Sequence, residues 1–321
     1  PAFGSFALDV GALMPGLRWP DQIEVQAGKY FVRPRYEITG ETGRSRIAHV
    51  NVERTDLKPD PRIAELSNLV GKGYVLPAPV LPLDTMRSAL LPTPMSTAQT
   101  TLPLALRIYD AGGREMHTER LGCLKRSDSA WVALDETLKA NGGLPSGYGH
   151  VELLYDFADG GEADGWLHAI FRYEDRATGH AAETSFGAHI FNTVLTYKNE
   201  PQSYTGGPPG LSTRLFLRLG DAPLDTQCHL IYTSATSWLP RSSTDLILHD
   251  GDGAEVARQH VEIPCNGSLL WRYGEMFDAG DRKRAGDGAY VIVRDTSCRL
   301  FGYHGLVNGS GAFSFDHMFG F

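Results

Sequence analysis

Long hydrophobic runs are missing. No stretch of the 321-residue chain approaches the ~18–20 consecutive apolar residues that cross a bilayer as a helix, so a soluble or peripheral protein is expected. Cysteine is scarce, with four residues (Cys123, Cys228, Cys265, Cys298) that show neither a CxxC nor a paired spacing. The N-terminal residues lack the charged n-region and cleavage pattern of a secretory signal. Reduced thiols and a cytoplasmic location follow as expectations. Basic charge is also in deficit: 30 Lys and Arg against 38 Asp and Glu leave a net charge of −8, which argues against a nucleic-acid partner, since phosphate contacts need clustered cations. A local excess of basic residues between Lys29 and Arg62 reads as a solvated strand face.

Motifs of group-transfer chemistry are absent too. There is no HxH, no HExxH, no P-loop, and no GxGxxG following a strand. Ser146, Ser268 and Ser310 lie among glycines, yet none completes a GxSxG elbow. Cys228 and His229 are adjacent, which on a strand sends them to opposite faces. Asp250-Gly251-Asp252-Gly253 resembles the start of a calcium loop, but Val261 stands where the bidentate Glu would be, and Asp110–Gly113 has lost the second acid. Both read as hairpin turns.

What the chain has in quantity is punctuation. Its 36 Gly and 19 Pro favour short strands joined by many turns over long helices, so the expected class is all-β with few short helices. It also has a faint repeat. Leu106, Ile108, Asp110, Gly113, Glu115 and Trp131 recur as Leu246, Leu248, Asp250, Gly253, Glu255 and Trp271, each at an offset of 140 residues. Further on, GWLHAIF answers FGYHGLV and SFGAHIF answers SFDHMFGF, which matches His168 with His304 and His189 with His317. Antiparallel strands at close spacing predict two tandem β-sandwich modules, immunoglobulin-like or jelly-roll-like, related by internal duplication. The expected division is an apolar arm over residues 1–20, a first module over 21–197, a linker over 198–212 and a second module over 213–321. Within the first module the Pro-rich stretch of about 57–103 is expected to be an extended insertion, because its prolines bar a central strand. Asp60-Pro61 opens a short helix with an N-cap and a proline in its first turn.

The duplicated histidines His168, His189, His304 and His317 are the sharpest candidates for chemistry. Each pair falls on consecutive strands, so two imidazoles that share a face could reach one transition metal, with Glu183 or Asp316 completing or orienting the set. Duplication, however, copies packing residues as faithfully as ligands. The chain ends supply a second signal. Phe3, Phe6, Leu13 and Trp19 in the arm, and Phe319 and Phe321 at the other end, are apolar where chain ends are usually polar, and mark expected contacts with a protein partner. Two functions from different classes follow. One is a non-catalytic accessory subunit docking on a larger assembly, including one at the periphery of a membrane; the other is a metal-dependent enzyme or metal-binding protein using the four histidines.

Overall fold

Two hairpin turns show how the sequence sets local structure. In a computed structural model of the chain, Asp110 Oδ1 accepts from the Arg114 backbone N–H at 2.9 Å, the Asp110 carbonyl accepts from Gly113 N–H at 3.1 Å, and Gly113 takes φ +84°. In the matching turn, Asp250 Oδ1 accepts from Ala254 N–H at 2.8 Å, the Asp250 carbonyl accepts from Gly253 N–H at 3.1 Å, and Gly253 takes φ +89°. A side-chain acceptor followed by a glycine at positive φ is what so tight a turn requires. The carboxylates are occupied by backbone donors, as in hairpins.

The structure describes residues 6–18, 21–23, 25, 35–40, 45–49, 58–66, 70–94, 98–188, 192–193 and 212–318. A single helical turn, α1 (Val10–Leu13), precedes an antiparallel hairpin of β1 (Arg35–Thr39) and β2 (Ser45–His49). The first half then runs β3 (Val75–Val80), β4 (Met86–Thr93), β5 (Thr101–Asp110), β6 (Glu115–Lys125), β7 (Val132–Ala133), α2 (Leu134–Ala140), β8 (Gly149–Tyr155), β9 (His168–Asp175) and β10 (Ala181–Gly187). The second half runs β11 (Thr213–Arg218), β12 (Asp225–Tyr232), β13 (Thr244–His249), β14 (Glu255–Val261), β15 (Gly267–Arg272), α3 (Tyr273–Met276), α4 (Ala279–Ala285), β16 (Tyr290–Asp295), β17 (Phe301–Val307) and β18 (Asp316–His317). The fold is all-β, with antiparallel sheets and few short helices.

The first half forms sheets of order β3-β8-β5-β6 and β10-β9-β4-β7; the second forms β11-β16-β13-β14 and β18-β17-β12-β15. If each half's strands are numbered one to eight, both halves give the same two orders, 1-6-3-4 and 8-7-2-5. An immunoglobulin domain instead groups its first, second, fifth and fourth strands in one sheet, so the order here is a different one.

In each half, alternate residues of both sheets share one apolar cluster. Leu76, Leu104, Leu106, Val151 and Leu153 from one sheet meet Leu90 and Phe171 from the other. In the second half Leu217, Leu246 and Val291 meet Cys228, Leu230 and Tyr232. The sheet containing β12 is buried on both faces. Cys228, Leu230 and Tyr232 point into the second cluster, whereas Ile231, Phe301 and Tyr303 belong to the first. This sheet therefore lies as a lid on the first half, with β18 against β10, β12 and β17 against β3, and β15 against β8 and β5.

The Pro-rich stretch corrects the expectation of an extended insertion. Residues 75–93 form β3 and β4, the same places in the order that β11 and β12 occupy in the second half. The prolines fit because the ladder does not need their missing N–H. Pro77 and Pro79 lie on the edge strand β3, two residues apart and so facing the same way. Pro92 lies in the interior strand β4, beyond Ala89 and Leu90, the only residues that short β7 reaches. Pro103 in β5 precedes the point at which pairing with β8 begins, at Leu104. The helix expected after Asp60 is one 3-10 turn, Pro61–Ile63, capped by Asp60 Oδ1 accepting from Arg62 N–H at 3.0 Å and pinned by fully buried Ile63. The expected linker, apart from Ser212, lies outside the described residues.

Candidate functional site

The four candidate histidines have unlike surroundings. His168 opens β9, is buried, and its Nδ1 lies 2.7 Å from Thr93 Oγ1. His189 lies outside the described residues. His304 and His317 lie on paired strands, with His304 opposite Asp316 and Tyr303 opposite His317. Asp316 Oδ1 accepts from Thr184 Oγ1 at 2.5 Å and lies 3.1 Å from His317 Nδ1. Burial alone would raise the Asp316 carboxyl, but hydrogen bonds from His317 and Thr184 outweigh it and hold the group down at about 2. Burial lowers His304, and the neighbouring His317 lowers it further against the pull of Asp316. Among the described residues no three His, Cys, Asp or Glu side chains are placed to hold a metal ion. Glu183, the other expected acid, accepts from Tyr36 Oη and from Arg172 Nη1, which ties it to the β1–β2 hairpin and to β9.

Three of the four thiols are poor nucleophiles. Cys228 is fully buried and faces Met318 Sδ in the second core, and burial drives its pKa far up. Burial also raises Cys265 and Cys298.

The chain ends behave differently from one another. Phe315 and Met318 are buried within the chain, and residues 311–317 clamp the first half: His180 Nε2 lies 2.8 Å from the Phe313 carbonyl, and the Phe315 ring meets Tyr173 edge-on at 5.1 Å. The N-terminal arm is bare. Phe6 is 88% exposed and Leu13 63%, Leu8 and Met14 are exposed as well, α1 buries no residue, and Val25 just beyond the arm is exposed too. Just after the arm, Gln22 Nε2 donates to the Asp128 carbonyl at 2.8 Å. Phe3, Trp19, Phe319 and Phe321 lie outside the described residues.

Sequence reasoning missed the polar seam between the halves. On the β3-β8-β5-β6 sheet, Arg107, Tyr109, His150 and Glu152 occupy the alternate positions that point away from the first core. Facing them are His229, Leu270, Ser268 and Tyr303. Glu152 accepts from Thr233 Oγ1, Tyr303 Oη donates to the Pro77 carbonyl at 2.9 Å, and Ser268 N–H donates to the Ala111 carbonyl at 3.2 Å. His150 stacks on Tyr109 at 5.2 Å with Nε2 3.6 Å from Glu152 Oε1, and His229 meets the edge of Tyr148 at 5.6 Å. Both imidazoles are 0% exposed, and among the described residues none of their four nitrogens has a hydrogen-bond partner. Burial, reinforced by the nearby His150, brings His229 down to about 3. In sequence these residues look like a solvent face, because they alternate with apolar ones.

At the free end of the second half, an open depression of about 970 Å³ carries Arg218, Arg282 and Lys283 against Asp221, Asp225 and Asp287. Its charges balance, which gives no preference for a charged ligand. No helix among the described residues is long and apolar enough to cross a membrane. No family model, curated protein or solved structure matches this chain.

Proposed function

We propose that the chain is a non-catalytic accessory protein of two β-sandwich modules that docks on a larger protein assembly through its apolar N-terminal arm. The observation that carries this reading is the arm itself. Phe6, Leu8, Leu13 and Met14 are all exposed, although apolar side chains gathered in one segment are stabilised by leaving water. Aromatic residues and Met are the types that interface cores enrich. The setting of this reading is the cytoplasm, including the cytoplasmic face of a membrane complex. The shared strand order and the matched Asp110 and Asp250 turns support descent of the two modules from one duplicated unit. The test is co-purification of partner chains with the full chain and with a chain lacking residues 1–25. A stoichiometric partner that is lost with the arm supports docking; a partner retained by the deleted chain overturns it.

A second reading keeps the histidines as metal ligands. Its support is the His317–Asp316 pair, with Nδ1 3.1 Å from Oδ1, and His304 directly across from Asp316 on the paired strand, although this register turns the His304 and His317 side chains to opposite faces. Elemental analysis decides it: bound transition metal lost in a His304→Ala/His317→Ala variant favours a metal protein, and metal-free protein excludes that use of the pair.

A further inference from the structure

We propose that the seam between the halves is an acid-sensitive jaw, in which protonation of His229 opens the β15 side while β18 stays clamped to β10. The geometry distinguishes a hinge from a mouth. At the hinge edge, Thr184 Oγ1 donates to Asp316, the Phe186 and His317 rings meet at 4.6 Å, and Phe315 packs on Tyr173. At the mouth, β15 rests on β8 and β5, and the turn after Asp110 abuts the backbone of Cys265 and Gly267; the hydrogen bonds across this edge are Ser268 N–H to the Ala111 carbonyl and Thr233 Oγ1 to Glu152.

His229 lies on the mouth side, and among the described residues no group accepts a hydrogen bond from its ring. Its ring meets Tyr148 in the loop before β8, has His150 of β8 near enough to oppose its charge, and lies beside Tyr303 of β17; Glu152 of β8 and Tyr109 and Arg107 of β5 share the opposing face with His150. β3 contributes Pro77 and Pro79, and β15 contributes Leu270 and Ser268. The only carboxylate in this set is Glu152, already taken up by Thr233 and by the approach of His150. Burial keeps the Tyr109 phenol protonated, pushed up to about 12. A proton therefore reaches His229 readily only once the mouth is open and water replaces these neighbours. Binding a proton to the open form alone favours opening about tenfold for each pH unit below the free imidazole value of about 6.5, which is about 30-fold at pH 5.

Ser268 and Cys228 make the test internal. Ser268 faces the seam, whereas Cys228 is on β12 beside His229 but points into the second core. A Ser268→Cys variant is exposed to a pyridyl disulfide, which reacts with thiols in mild acid, and labelling at residues 268 and 228 is read by peptide mass, each rate divided by that of the free peptide at the same pH. The expected result is a rise of about 30-fold at residue 268 between pH 7.5 and pH 5 with Cys228 still protected. In Ser268→Cys/His229→Leu, or in the polar alternative Ser268→Cys/His229→Gln, the rise should fall below about threefold. No rise, an equal rise without His229, or parallel labelling of Cys228, which reports global unfolding, would each overturn the jaw.

Discussion

Gly113→Ala and Gly253→Ala make a matched pair in which the same turn chemistry meets two different surroundings. Both glycines sit at positive φ, +84° and +89°, so a Cβ at either costs about 1–2 kcal/mol of backbone strain. Around Gly253 that is the whole cost, because the nearest atom to an added Cβ is Tyr290 Oη at 3.5 Å, an ordinary contact. At Gly113 the added carbon would overlap the Cys265 carbonyl oxygen and press on the backbone of Asn266 and Gly267, which belong to the other half. Backbone cannot rotate away, so the turn must retreat. Retreat strains or breaks the Ser268 N–H bond to Ala111, about 1 kcal/mol net, and misfits the packing around it, about 1–3 kcal/mol. Gly253→Ala should thus destabilise by about 1–2 kcal/mol and Gly113→Ala by about 3–6 kcal/mol. Guanidinium titration with a far-UV signal measures both. Equal losses would refute the reasoning, since they would mean that the turn after Asp110 does not bear on the second half.

Acid should weaken the fold through His229. Its folded value is about 3 against about 6.5 when free, so its contribution is intact above pH 6.5 and is lost progressively as pH falls toward 3. Between pH 7.5 and pH 5 the wild type should lose about 2 kcal/mol more than His229→Leu in urea titrations, and identical losses would contradict this. Tyr303→Phe should cost about 1–3 kcal/mol, because the buried Pro77 carbonyl loses its donor; a thermal midpoint equal to wild type would count against that bond. Removing residues 1–25 should leave the denaturation midpoint unchanged, since α1 buries nothing, and a large drop would show that the arm supports the fold.

The paired residues at 140-residue offset were a sound guide where they governed local geometry. Leu106 and Leu246 are fully buried in equivalent strands, and Asp110 and Asp250 make the same turn. Trp131 and Trp271 show the limit. Trp271 is buried on β15, while Trp131 is partly exposed just before β7, so the same residue type has different neighbours. The prolines misled because their effect depends on which side of a strand has a partner, and only the sheet order reveals that Pro92 and Pro103 pair with a strand on one side and lie beyond the reach of β7 and β8 on the other.

The sequence by itself determined the all-β class, the turn positions and the alternation that builds each core, because these depend on neighbours a few residues apart. Which polar face meets water and which meets another sheet was decided only by the tertiary structure. His150, Glu152 and His229 alternate with apolar residues as a solvated face does, and they are buried solely because one half closes over the other. The reverse holds for Phe6 and Leu13, whose apolar character calls for cover that the described chain does not supply. Burial depends on contacts far apart in sequence, and alternation along one strand carries no information about what lies across from it.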